Sequence, residues 1–349
     1  MQVFSEGDEL YDAMLRDIGE ARSAVRLESY LFADDEVGRP FVDLLCRKAR
    51  QGVYVVVRVD TIGSLLRLGP GARRRMVRAG VRLHYGPPRP WRQLHRFNRR
   101  DHRKLLTVDD ERAYLGGFNI HRECSRKAVG DRRWRDLHLR FGGPLAGEAV
   151  AAFDAYGNGR SDWEPGQHGP PLLLSNHGRG FRFQLYHALV RQLSRARRRL
   201  WLASPYFVPD RGFRRHLRQA ALRGVDVRVL VPAHGDVPIV RSATRASVDM
   251  LLDAGVKVYE YLPRMQHAKA MLADDDWATV GTANFDYRSL FINDELNLVT
   301  CSPDISGAIA GWFEEGFRDS SVVAANRPKR TVLLESVIQA MAWSVRRWL

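Results

Sequence analysis

The pattern of apolar and polar positions repeats itself in the two halves of the chain. Phe41 to Arg50 carries apolar residues at helical spacing, then Gly52 interrupts, then Val53 to Val59 reads as a buried strand. Phe213 to Leu222, Gly224 and Val225 to Val231 repeat that succession. Ala79-Gly80-Val81 and Ala254-Gly255-Val256 mark a second helix-to-strand step in each half. Further on, Leu105–Val108 and Ala113–Leu115 predict a pair of short strands. Ala270–Ala273 and Ala278–Val280 predict the same pair in the second half. Helices alternating with β-rich runs predict an α/β fold of two sandwich lobes. We place them at 1–160 and 172–320, joined by a Gly/Pro-rich linker at 161–171. A tail at 321–349 follows. From Thr331 it reads as a helix with Leu333, Val337, Met341 and Val345 on one stripe and Arg at its flanks, suited to packing on the lobes or to lying in an anionic membrane interface.

Within the strand pairs sits a polar constellation that also occurs twice. The first copy is His102-Arg103-Lys104, Asp109, Gly116-Gly117 and Asn119. The second is His267-Ala268-Lys269, Asp274, Gly281-Thr282 and Asn284. The intervals are identical, and one such set arises by chance on the order of once per million start positions. On an extended chain His-x-Lys presents both side chains to one face. The Asp residues fall in turns, and each Gly-x-x-Asn returns beside the His and Lys. A nucleophile or base, a cation and an amide donor converge, which suits a phosphoryl oxyanion.

Composition narrows the partners. The formal charge is +15, so the chain meets something anionic: nucleic acid, anionic lipid or a phosphorylated substrate. Only six of its 55 basic residues are Lys, yet both motifs use Lys, a compact point charge where Arg is a planar fork. Three scattered cysteines, Cys46, Cys124 and Cys301, have no metal-type spacing and predict a reducing compartment. The first residues do not read as a signal peptide, and no apolar run reaches the length of a membrane span.

These motifs resemble the paired HKD motifs of the phospholipase D superfamily. Trp134-Arg135-Asp136, Ser204-Pro205-Tyr206-Phe207, Asn284 to Ser289 and Asn293-Asp294-Glu295 extend the likeness to its bacterial cardiolipin synthase branch, in a short form. The resemblance implies two pseudo-symmetric phospholipase D-like α/β/α lobes sharing one active site. It implies phosphatidyl transfer from one phosphatidylglycerol to another through a phosphohistidine, with glycerol released. It also implies a peripheral location on the cytoplasmic side of a bacterial inner membrane. His102 is expected as nucleophile and His267 as acid/base, although nearly symmetric motifs do not order them. Lys104, Lys269, Asn119 and Asn284 are expected to hold phosphoryl oxygens. Glu295 is expected to orient His267, and Asp136 to orient His102. Asp109 and Asp274 are expected to brace the hairpins at the interface between lobes. No metal or other cofactor is expected, because two ammonium groups supply the charge. No nucleic acid partner is expected.

Alternatives of the same superfamily are a phospholipase D using water as acceptor and a phosphodiesterase acting on nucleic acid. A binding protein without catalysis is disfavoured by the intact motifs. One further segment distinguishes the halves. From Gly80 to His102 is 22 residues, against 12 from Gly255 to His267. The insertion, Gly86 to Arg100, holds five Arg with Trp91 and Phe97, and predicts either a solvated loop or a lip that touches lipid headgroups.

Overall fold

The computed structural model describes residues 1–86, 99–158, 169–178, 182–235 and 238–324. The segment from 87 to 98, most of the linker and the helical tail expected after Thr331 lie outside the described residues.

The first half forms β1 (Gln2–Phe4), β2 (Ala24–Ser29), β3 (Tyr54–Asp60), β4 (Arg82–Gly86), β5 (Leu105–Val108), β6 (Arg112–Gly116) and β7 (His138–Gly142). They make one sheet in the order β1-β7-β6-β5-β2-β3-β4. The second half forms β8 (Leu172–Ser175), β9 (Arg199–Ala203), β10 (Asp226–Pro232), β11 (Lys257–Tyr261), β12 (Ala270–Ala273), β13 (Trp277–Gly281), β14 (Leu296–Thr300) and β15 (Ser320–Val322). Their order is β15-β11-β10-β9-β12-β13-β14-β8. Apart from β15 the two sheets have one topology. Three parallel strands, β2-β3-β4 or β9-β10-β11, adjoin an antiparallel meander, β5-β6-β7 or β12-β13-β14.

Local sequence explains the matching connections. The helix Gly38–Arg50 ends before Gly52, and Arg211–Leu222 before Gly224. Both glycines hold φ near +88°, a left-handed conformation that lets the chain leave a helix and enter a strand at little cost. Strand alternation then sorts the cores. In β5, Leu106 and Val108 join an outer core under the helices Gly7–Glu20 and Gly38–Arg50, while Leu105 faces inward. In β12, Met271 and Ala273 face outward and Ala270 and Leu272 inward. The inward faces of both sheets share one apolar core with the helices Pro144–Gly157 and Pro303–Arg318. The lobes are therefore bonded by a hydrophobic layer, and this layer fixes the motif ends against each other.

Candidate active site

His-x-Lys stands immediately before β5 and β12 rather than within them. Period two still applies. Lys104 Nζ turns back to the carbonyl of His102 at 2.8 Å, and Lys269 Nζ likewise meets the carbonyl of His267. Arg103, between them, goes to the opposite side, where Glu28 receives it at 2.6 Å. The first turn of each hairpin is closed by the motif Asp in left-handed backbone.

The two motifs meet across the lobes. His102 N donates to Asp294 O at 3.0 Å, and Asp294 N donates to Arg100 O. In the pseudo-symmetric position His267 N donates to Arg135 O at 2.7 Å, and Arg135 N to Met265 O. Each His segment thus lies along the acid segment of the other lobe. The carboxylates follow. Glu295 lies 3.0 Å from His102 Nδ1, and Asp136 lies 2.6 Å from His267 Nδ1. The same-lobe pairing expected from the sequence is corrected here: the pairs are crossed. Closeness along the chain misled, because the backbone bridges that set the pairs join distant segments. Either carboxylate accepting at Nδ1 would fix the tautomer that leaves Nε2 available for chemistry. Among the described residues, His102 Nε2 has no hydrogen-bond partner, whereas His267 Nε2 lies 3.0 Å from Lys269 Nζ.

Electrostatics make this a cationic hole. Lys104 and Lys269 are both buried. Burial, then repulsion from Lys269, brings Lys104 down to about 7. Burial holds His102 below its ordinary range although Glu295 opposes this. Burial followed by the two ammonium groups holds His267 well below it. An anion placed among them would relieve each of these costs.

The amides sit at matching, buried positions. Asn119 Oδ1 accepts from Leu31 N at 3.1 Å, which leaves its Nδ2 for a ligand. Asn284 bonds Asp286 and keeps a buried Oδ1 without a partner.

Asp109 and Asp274 are corrected too. Neither braces the lobe interface. Each stands at the far end of a four-residue strand from the Lys, inside its own lobe. Asp109 accepts from the amides of Arg22, Ser23 and Ala24, and Asp274 from those of Arg197, Arg198 and Arg199. They tie the hairpin turn to the start of the neighbouring strand, a bond to backbone donors that serves the fold. Against desolvation, which would raise it, the amides of Ala24, Ser23 and Arg22 hold Asp109 at about 2. Its contribution is therefore present above the unfolded carboxyl range and is lost as pH falls toward about 2. Asp109→Ala is expected to cost about 1–3 kcal/mol in denaturant unfolding while the pH profile of catalysis stays in place.

Several site residues were missed in the sequence. Thr282 stands where the first motif has Gly117, and its hydroxyl donates to Glu295 at 2.6 Å. Gly117 is required for the opposite reason: a Cβ there would lie 2.0 Å from Asp136 Oδ1. The Gly-Gly and Gly-Thr difference was the available signal. Asn176 accepts from the amide of Glu295 at 2.7 Å. Tyr30 packs edge-on against His102 at 5.0 Å, and Trp134 lies tilted against His267 at 4.8 Å. Ser204 holds Phe285 N at 3.1 Å, so its motif anchors the loop that carries Asn284.

This geometry agrees with what the chain is similar to. Residues 189–316 match the family model for the cardiolipin synthase phospholipase D-like domain. A cardiolipin synthase of Geobacillus thermodenitrificans is 33% identical over 365 residues, covering 97% of this chain and 71% of that protein. The chain belongs to the cardiolipin synthase family. Cardiolipin synthase 2 of Bacillus anthracis is 31% identical over 357 residues, covering 97% of this chain and 68% of that protein. Among solved structures, a phosphatidylserine synthase of Haemophilus influenzae aligns over 99% of this chain and 92% of its own, with a TM-score of 0.72 and 13% identity. That likeness establishes the two-lobed phospholipase D fold. Cardiolipin synthases are phosphatidyltransferases.

Proposed function

We propose that this protein makes cardiolipin by moving a phosphatidyl group between two phosphatidylglycerol molecules through a phosphohistidine. The observation that carries the reading is the pair of histidines, His267 buried and His102 partly exposed, each holding the other lobe's carboxylate at Nδ1 beside a buried Lys. His102 attacks phosphorus through Nε2, the P–O bond to glycerol breaks, and His267 gives the departing alkoxide its proton. The hydroxyl of a second phosphatidylglycerol then loses its proton to His267, attacks phosphorus, and the P–N bond breaks. The free Nε2 of His102 supports the order. Burial, then the ammonium groups, hold His267 well below its ordinary range; the phosphodiester's negative charge offsets those ammonium groups, so substrate binding favours its protonation. Lys104, Lys269 and Asn119 hold the nonbridging oxygens. Hydrolysis by the same route, with water as acceptor, is the second reading, and the crossed geometry serves either.

Purified protein given labelled phosphatidylglycerol in vesicles is expected to form cardiolipin, with one glycerol released per cardiolipin. Phosphatidic acid accumulating in step with glycerol would establish the hydrolase instead.

A phospholipid substrate requires a membrane surface. Among the described residues no helix is long and apolar enough to cross a membrane. An apolar rim does lie by the His102 end of the site. Ile62, Leu65 and Leu66 are exposed, Leu66 at 92%, and Arg67 follows. Their turn is fastened to the site, because Asp60 accepts from Asp101 N at 3.0 Å, one residue from His102. We assign this rim to the bilayer interface of an anionic membrane. Ile62→Asp with Leu66→Asp is expected to weaken binding to phosphatidylglycerol vesicles by about 100-fold, as roughly 1.5 kcal/mol per withdrawn side chain implies. Turnover of a soluble short-chain substrate should not change. Unaltered vesicle binding would move the contact to the 86–100 segment or to the tail.

A further inference from the structure

Because the lobes share one topology, a place filled in one and hollow in the other is informative. Gly52 and Gly224 set the register of β3 against β10, and Gly80 and Gly255 that of β4 against β11. Arg58 then corresponds to Leu230 and His84 to Tyr259. The helices Pro144–Gly157 and Pro303–Arg318 align from their first prolines, so Asn158 corresponds to Phe317. Two glycines confirm the register. A Cβ on Gly157 would lie 2.0 Å from Arg58 Nη2, and one on Gly316 would lie 2.8 Å from Leu230.

In the second lobe this place is closed. The ring of Phe317 lies 4.5 Å from that of Tyr259 and 5.3 Å from that of Trp201. In the first lobe the corresponding place is an open pocket of about 360 Å³, walled by Tyr54, Arg58, Arg82, His84, Phe153 and Asn158 among others. Its polar groups are donors with little to do. Arg58 is buried against Phe153 at 4.1 Å. Its Nη1 serves Glu28 at 3.0 Å and Phe153 O at 3.2 Å. Among the described residues its Nη2 has no hydrogen-bond partner, and neither does the His84 ring. Arg82 stacks on Tyr54 at 4.6 Å, and its Nη1 donates to the Tyr54 hydroxyl at 3.4 Å. Among the described residues the one wall carboxylate, Asp154, is taken by Arg26 at 3.1 Å.

Charged groups also lie buried behind the wall. Glu28 is shared between Arg58 and Arg103. Asp101 adjoins them, 3.8 Å from Arg103 Nε, and burial, then Glu28, pushes its carboxyl well above the usual range. Burial and the two neighbours Arg58 and Arg82 hold His84 below its ordinary range.

We propose that this pocket is a second binding site, separate from the histidines, for a small phosphorylated polyol, either a free glycerophosphate-type anion or the headgroup of an anionic phospholipid. The phosphate meets Arg58 Nη2, Arg82 and His84, and the polyol meets Asn158 and the Tyr54 hydroxyl. The pocket is open to water, so screening keeps the affinity modest. The site stands whether the catalytic acceptor is a lipid or water.

The test reads the His84 ring by NMR, assigned from the signal lost in His84→Gln. Inorganic phosphate and glycerol 3-phosphate are titrated into the full chain, each expected to shift that signal saturably and to raise the pKa of His84. Arg82→Gln is expected to weaken the response about tenfold, the loss of one charge-assisted contact. Asn158→Phe, which copies the second lobe, is expected to abolish it, while turnover of a short-chain substrate persists. Both substitutions are at exposed positions, and Arg82→Gln carries the test if the Phe variant does not fold. Vesicles separate the sources. For a lipid headgroup, Asn158→Phe also weakens binding to phosphatidylglycerol vesicles; for a free anion it leaves that binding unchanged. A His84 signal unmoved by both probes, or one that moves equally in the two variants, overturns the proposal.

Discussion

His102→Asn is expected to lower phosphatidyl transfer by about four to six orders of magnitude and to leave no covalent adduct on the protein. His267→Asn should lose comparable turnover and yet accumulate phosphatidyl on His102. The difference follows from the two steps. Without His102 no P–N bond forms. Without His267 attack still occurs, though slowly, but the adduct has no base to activate the second alcohol and so persists. Labelled lipid retained after denaturation, and the mass of the His102 peptide, report this. Burial holds His102 below its usual range. Adduct formation should therefore survive as pH falls through about 6.5 and fail only lower, once the imidazole is protonated. An adduct on His267 in the His102 variant would reverse the roles, and one in neither variant would remove the covalent mechanism.

The crossed pairing predicts a second large effect. In the His267→Asn background, adding Glu295→Gln is expected to slow adduct formation by about 10²- to 10⁴-fold, the range for losing a carboxylate that orients a catalytic imidazole. Adding Asp136→Asn to the same background should change that rate little, because its partner is already gone. Gly117→Ala in an otherwise native chain should resemble Asp136→Asn, since the new Cβ would lie 2.0 Å from Asp136 Oδ1. Rapid-quench measurement of adduct formation separates these cases. The opposite pattern, with Asp136→Asn slowing the trapped step and Glu295→Gln sparing it, would restore the same-lobe pairing.

Much of this was legible in the chain itself. Strand alternation and the glycine stops place β5, β6, β12 and β13 because those signals are local, and the duplicated spacing marks His102, Lys104, His267 and Lys269. The carboxylate partners were legible only as residue types. Glu295 follows Asn284 by eleven residues, and nothing in that interval records that Asp294 lies along Asp101 of the other lobe. Asp109 and Asp274 share the motif's spacing, which suggests a brace at the interface between lobes, but their carboxylates serve backbone amides within their own lobe, one strand length from the Lys. Thr282 was visible as a departure from Gly117, yet its bond to Glu295 depends on a long-range contact. Tyr30 and Trp134 touch the histidines through packing that no periodicity encodes.

The central claim is a double displacement at one phosphorus atom held by both lobes. Its most direct measurement is the stereochemical course, using phosphatidylglycerol made chiral at phosphorus with oxygen isotopes. Two in-line displacements, at His102 and then by the acceptor alcohol, predict retention of configuration in the product. Inversion would mean that the acceptor attacks the lipid directly and that no phosphohistidine lies on the path.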